Sequence, residues 1–166
     1  MNIAKQLKLF YKITTYLPSV KENYYVTQDT YFIFQVSPDW PLKNLVIQCC
    51  SHPGTIVNCP DQSVFKSILA GAKQLETFVV SYCNTFTDDV FIDASHTNPF
   101  NNLTDFMMTN CKNITMKALE GSVLMKTDVP LKNVLFFGCD QITLADFTRY
   151  QRYIETNQYK VQVQWQ

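Results

Sequence analysis

The stretch Leu103-Thr104-Asp105-Phe106-Met107-Met108-Thr109-Asn110-Cys111-Lys112-Asn113-Ile114-Thr115 matches Leu131-Lys132-Asn133-Val134-Leu135-Phe136-Phe137-Gly138-Cys139-Asp140-Gln141-Ile142-Thr143, and every anchor recurs at one fixed offset, from Leu103 to Leu131 and from Cys111 to Cys139. The same distance back from Cys111 stands Cys83, within Leu75-Glu76-Thr77-Phe78-Val79-Val80-Ser81-Tyr82-Cys83, and Phe86-Thr87 follows. A somewhat longer step reaches Cys50 behind Leu42, Leu45 and Ile47, with Pro53 where the isoleucine falls in the other segments. Toward the other end, Val161-Gln162-Val163-Gln164-Trp165 alternates like a strand. Val161 and Val163 follow Val134 and Phe136 at nearly the same offset, in the place of a closing rung. Recurrence at a period of about 28 residues marks a repeat architecture.

In an L-x-x-L-x-L-x-x-C unit the short strand alternates faces, so its second and third anchors point inward and the residues flanking them point out. The cysteine ends the strand by turning into the core, where a small apolar side chain fits. Thr143 is placed to cap a helix from Leu144 to Thr156, on which Phe147, Tyr150 and Ile154 share a face. An earlier helix is legible after Asp61, with Val64, Ile68, Leu69, Ala72 and Leu75 at three- and four-residue steps. One such unit cannot cover its own apolar face, and roughly three or more stacked units are needed for stability. Four to five are available between 41 and 166. The expected fold is therefore an α/β leucine-rich-repeat solenoid: a short horseshoe arc with parallel strands inside and helices outside.

Pattern and spacing resemble the cysteine-containing leucine-rich repeats of F-box-type substrate receptors. The resemblance covers roughly Pro41 to Trp165, and the Cys-x-x-Ile-Thr step at Cys111 and Cys139 is its most specific part. It departs from that family at Phe86, which stands in place of isoleucine, at Gly121, and in the longer unit over 42–74. The resemblance implies a protein-recognition module of a ubiquitin ligase or a similar assembly. Nothing in Met1 to Trp40 reads as an F-box.

Residues 1–40 read as a non-repeat cap. Leu7, Leu9, Phe10, Ile13 and Leu17 sit among lysines as on a helix ending before Pro18, and Tyr31 to Val36 reads as a strand. Too few residues separate that strand from Leu45 for a helical crossover, so a tight Ser37-Pro38-Asp39-Trp40-Pro41 turn is expected between them. Solenoid ends need covering, and Trp40 and Trp165 are placed to do so.

Composition narrows the function classes. Fourteen basic and fourteen acidic residues cancel, leaving no positive field for nucleic acid. Four scattered glycines cannot assemble a phosphate-cradling loop. No apolar run approaches the ~20 residues that span a bilayer. Lys5, Lys8 and Lys12 interrupt the start, unlike a secretion signal. The six cysteines are accordingly read as reduced thiols in a cytoplasmic or nuclear protein, in which the triplets Asn102-Leu103-Thr104 and Asn113-Ile114-Thr115 would not be glycosylated.

Three clusters are candidates for chemistry or binding. Cys49, Cys50, His52 and Cys59 have metal-ligand residue types without a common zinc spacing. The alternative reading is a small enzyme or metal-binding protein with a site near Cys49 to Cys59, using Cys49, His52 or the acidic cluster of Asp88, Asp89 and Asp93. The plainer reading makes Cys50 the repeat cysteine and turns Cys49 outward. Asp88, Asp89 and Asp93 lack the glycine and distal glutamate of a calcium loop and read as a solvated loop after a strand. The third cluster appears only on stacking the repeats, which aligns Val46, Val79, Met107 and Leu135 in an apolar column on the concave face. Tyr82 and Phe137 lie nearby, and the column beside it holds Asn44, Thr77, Asp105 and Asn133. Contiguous exposed apolar surface marks partner sites, so the expected function is a non-catalytic scaffold for a protein partner, with no catalytic residue, metal, cofactor or small-molecule substrate.

Overall fold

The computed structural model describes residues 23–26, 42–49, 61–120 and 130–166. The expected helix over Ile3 to Leu17, the strand over Tyr31 to Val36, the turn at Ser37 to Pro41, and Cys50, His52, Pro53, Cys59 and Gly121 lie outside the described residues.

Six strands are described: β1 (Asn23–Val26), β2 (Asn44–Gln48), β3 (Thr77–Ser81), β4 (Asp105–Thr109), β5 (Asn133–Phe137) and β6 (Gln162–Trp165). They form one sheet in sequence order, and every neighbouring pair is parallel. Four helices accompany them: α1 (Gln62–Gly71), α2 (Asp88–Thr97), α3 (Lys117–Glu120) and α4 (Leu144–Thr156). The chain is thus an α/β fold built on a parallel sheet. Its first strand, Asn23–Val26, falls within the forty residues expected to form a non-repeat cap and pairs in register with β2. Asn-Tyr-Tyr-Val offers β-favouring residues but no cysteine or leucine spacing to mark it.

Alternation along the strands decides which side chains enter the core. Leu45, Ile47, Phe78, Val80, Phe106, Met108, Val134 and Phe136 are at most 1% exposed, while the residues between them are half-buried or exposed. The register repeats the offset read from the sequence, pairing Phe78 with Phe106 and Phe106 with Val134. At the last strand it corrects the sequence reading: Val163 lies opposite Val134 and Trp165 opposite Phe136, two residues later than expected. The cause is a 13-residue α4 followed by a left-handed turn at Gln158 (φ 58°), which consumes more chain before β6 begins. Because the slip is even, the same face still points inward.

A shared backbone turn ends three of the strands. Tyr82, Asn110 and Gly138 all adopt positive φ, at 56°, 53° and 61°. Each of their N–H groups donates across to the next strand, to the carbonyls of Thr109 (2.8 Å), Phe137 (2.7 Å) and Gln166 (2.8 Å). Leaving the extended conformation there sends the following Cys83, Cys111 and Cys139 into the core, at most 3% exposed. The Cys111 thiol donates to the Val80 carbonyl at 3.6 Å and the Cys139 thiol to that of Met108 at 3.5 Å, each one strand back. Cys49 departs from expectation. It is 2% exposed and not outward, because without a left-handed residue before it the period-two alternation of Leu45 and Ile47 runs on to Cys49.

The helices begin where their caps lie. Asp61 accepts the Ser63 N–H at 3.0 Å and starts α1, whose buried stripe is Phe65, Ile68 and Leu69. The expected Leu75 lies beyond this helix, on the approach to β3. Thr143 and Asp146 form a reciprocal capping box at α4, whose bounds match expectation, and Tyr150 and Ile154 are its buried residues. Hydrogen bonds from Thr143 and the nearby Arg149 guanidinium hold the Asp146 carboxyl below the usual carboxylate range. Asp88, Asp89 and Asp93 belong to α2 and not to a solvated loop: acidic groups are favoured in a first turn, where the helix dipole is positive. Phe91 of α2 stacks on Phe78 of β3 at 6.0 Å and meets Phe106 of β4 at 5.0 Å, so helices and strands bury their apolar sides in one core. Each buried phenylalanine contributes about 1.5 to 3 kcal/mol relative to exposure, against about 0 to 1 kcal/mol for a surface pair such as Lys43 and Glu76.

Candidate interaction face

On the side of the sheet turned away from this core, the register sets side chains in rows across the strands. The middle row holds Val46, Val79, Met107 and Leu135, continued at one end by Gln164. All four apolar members are half-buried. The expected column therefore exists as a line of neighbours, one strand spacing (about 4.8 Å) apart. Gln164 was hidden from sequence reasoning by the two-residue slip of β6.

The row nearer the strand starts is polar: Asn44, Thr77, Asp105 and Asn133 are successive partners. Within it Asn133 Nδ2 donates to Asp105 Oδ1 at 2.6 Å, and Thr104 Oγ1 lies 2.6 Å from the other carboxylate oxygen. These neutral donors hold the Asp105 side chain in place, and among the described residues no lysine or arginine pairs with it. A third row, not singled out from the sequence, holds Ser81, Thr109 and Phe137, and Thr109 Oγ1 donates to Ser81 Oγ at 2.6 Å. Its signal was present in the same repeat offset. Tyr82 follows β3 directly, and Tyr82 and Phe137 are each 46% exposed, large rings held in solvent two strands apart.

The other candidate clusters stand as follows among the described residues. Of the residues at Cys49 to Cys59, only the buried Cys49 is described. Asp88 is engaged by Thr115, and Asp93 by Lys66, whose hydrogen bond and positive charge hold the Asp93 carboxyl below its usual range. Burial pushes the Cys111 thiol up to about 12 and the Cys139 thiol upward also, the reverse of what a nucleophilic thiolate needs. Among the described residues no group of three histidine, cysteine or acidic side chains could hold a metal ion, and no helix is long and apolar enough to cross a membrane. The chain matches no protein-family model and no curated protein.

Proposed function

We propose that this chain is a non-catalytic protein-interaction module, a short leucine-rich-repeat solenoid that presents the concave face of its sheet to a protein partner. One observation carries the reading: Val46, Val79, Met107 and Leu135 form an unbroken half-buried apolar row on a parallel sheet whose described helices bury their stripes on the opposite side. Parallel sheets ordinarily have both faces covered, so a partner over this row would complete the arrangement. Asp105 and Asn133 on one flank and Tyr82 and Phe137 on the other supply the polar and aromatic rim of a protein interface. Cys111 and Cys139 are buried free thiols, which fits a reducing compartment such as the cytosol or nucleus. The likeness to F-box-type receptors extends the proposal to substrate recognition within a ubiquitin ligase or a similar assembly.

The test is affinity capture on the intact chain beside a variant carrying Val79→Asp, Met107→Asp and Leu135→Asp, with circular dichroism and urea unfolding to verify that the variant folds. Partners are expected on the parent chain and lost from the folded variant. Equal recovery on both would overturn the reading.

A further inference from the structure

We infer that the partner element seated on this face is an amphipathic α-helix, lying across the strands and carrying a basic residue on one flank. The inference rests on the interaction reading above and adds the chemistry of the occupant.

Spacing is the first argument. Successive members of the Val46, Val79, Met107 and Leu135 row are one strand apart, about 4.8 Å, so the row spans about 14 Å. A helix presents one side chain per turn on a given face, at intervals of about 5.4 Å. Laid along the row, it keeps its apolar residues within about 2 Å of register over all four strands. An extended peptide in the same direction offers same-side residues about 6.7 Å apart and is out of step by more than one whole strand at the fourth position.

Width is the second. From the Asp105 row to the Thr109 row is four residues of strand, about 13 Å. A helix with its side chains is about 10 to 12 Å across. The apolar row runs midway between those limits, so a helix centred on it touches the polar row with one flank and approaches Phe137 and Tyr82 with the other. Met107, near the middle, has the flexible thioether side chain that adapts to a partner's shape.

Charge is the third. Asp105 is the one carboxylate in the polar row, fixed by Asn133 and Thr104 and matched by no cation among the described residues. A lysine or arginine on the near flank of the helix complements it.

The experiment is selection of a random displayed peptide library on the intact chain, counter-selected on folded Met107→Asp, with Leu135→Gln as the milder variant if Met107→Asp does not fold. The expected winners depend on Met107 or Leu135, carry apolar residues at i, i+3 or i+4, and i+7 with a lysine or arginine beside them, and become helical on binding. Their affinity for Asp105→Asn should fall about two- to fivefold, the scale of a rim ion pair. Winners that depend on the row but alternate apolar and polar residues would overturn the helix while leaving the interaction face standing. Helical winners indifferent to Asp105→Asn would overturn the basic flank. An absence of any row-dependent winner would overturn both the helix and the interaction reading.

Discussion

Asp88 accepts both the backbone N–H and the hydroxyl of Thr115, at 2.8 and 2.6 Å, across 27 residues of chain. Thr115 Oγ1 in turn accepts the Lys117 N–H at 3.1 Å, at the start of α3. A carboxylate on the first turn of α2 therefore orients the cap of the helix that follows. Asp88→Ala leaves the Thr115 N–H, in a part-buried site, without its acceptor. We expect a loss of about 1 to 3 kcal/mol in urea unfolding, and a smaller loss for Asp88→Asn, which keeps one acceptor oxygen. Equal stability of parent and Asp88→Ala would show that Thr115 finds another acceptor.

Alkaline pH should act through the thiol row. Burial raises Cys111 from the ordinary 9.0 to about 12, and Cys139 moves the same way. The folded chain thus keeps thiol protons that the unfolded chain has already lost. Stability from this source is fully present below pH 9.0 and is lost as pH rises through the window toward 12. Relative to its own value at pH 7, Cys111→Ala should lose less stability than the parent between pH 9 and 10.5. Parallel curves for the two proteins would mean that the thiol does not couple to folding. Iodoacetamide labelling of Cys111 at pH 8 should likewise proceed only as fast as the protein opens.

Two of the left-handed strand ends, Gly138 and Tyr82, should respond oppositely to substitution. At Gly138 a Cβ would meet Asn110 Oδ1 at 2.5 Å in a conformation (φ 61°) that L side chains rarely adopt. Gly138→Ala should cost about 1 to 2 kcal/mol. Tyr82 already bears that strain at φ 56° with its ring half in solvent. Tyr82→Gly releases about 1 kcal/mol of it, offset in part by the freer unfolded chain. Stability should therefore hold, while partner capture weakens through loss of the exposed ring. A Tyr82→Gly protein that unfolds more readily yet captures normally would assign the ring to the fold and not to the face.

The strands and their rows were legible because two periods agree. The fixed repeat offset places Val79, Met107 and Leu135 side by side, and a two-residue alternation decides which of their neighbours are buried. Thr143 was legible as a cap for the local reason that a helix start needs an acceptor within its first turn, and the helix after Asp61 was legible from its apolar spacing. What escaped depended on quantities those periods do not contain. A shift of two residues in β6 leaves the buried face unchanged, so alternation alone could not distinguish Val161 from Val163 as the partner of Val134. Cys49 escaped because only the backbone angle at the end of β2 decides whether the strand's alternation runs on to it. Asp88 looked like a loop aspartate because its partner, Thr115, is supplied by the following segment. The polar rim was legible in part: Asp105 and Asn133 were aligned by the period, but the Ser81 and Thr109 pair carries no apolar signal to draw attention to it.

Asn98 should be the least replaceable polar side chain among the described residues. It is 1% exposed and sits where α2 ends. Its Nδ2 donates to the carbonyls of Leu69 and Ala72, at 2.7 and 2.8 Å, at the end of α1, and its Oδ1 accepts the Phe100 N–H at 3.1 Å. One amide thereby terminates two helices and holds Phe100 in its left-handed turn (φ 51°) against Phe91, 4.8 Å away. Asn98→Ala strands the Leu69 carbonyl and the Phe100 amide in a dry site, while the Ala72 carbonyl keeps the Leu75 N–H at 3.2 Å. At about 1 to 3 kcal/mol for each group left unpaired, a loss of several kcal/mol is expected. Asn98→Asp has nearly the same volume but points an acceptor at the two carbonyls, and it should be worse than alanine at pH 7. Protonating that carboxyl restores one donor, so its deficit relative to the parent should shrink as pH falls toward 4. Urea unfolding of the three proteins at pH 7 and pH 4 decides the matter. An Asn98→Asp protein as stable as the parent at pH 7 would mean that shape, and not hydrogen bonding, joins α1 to α2.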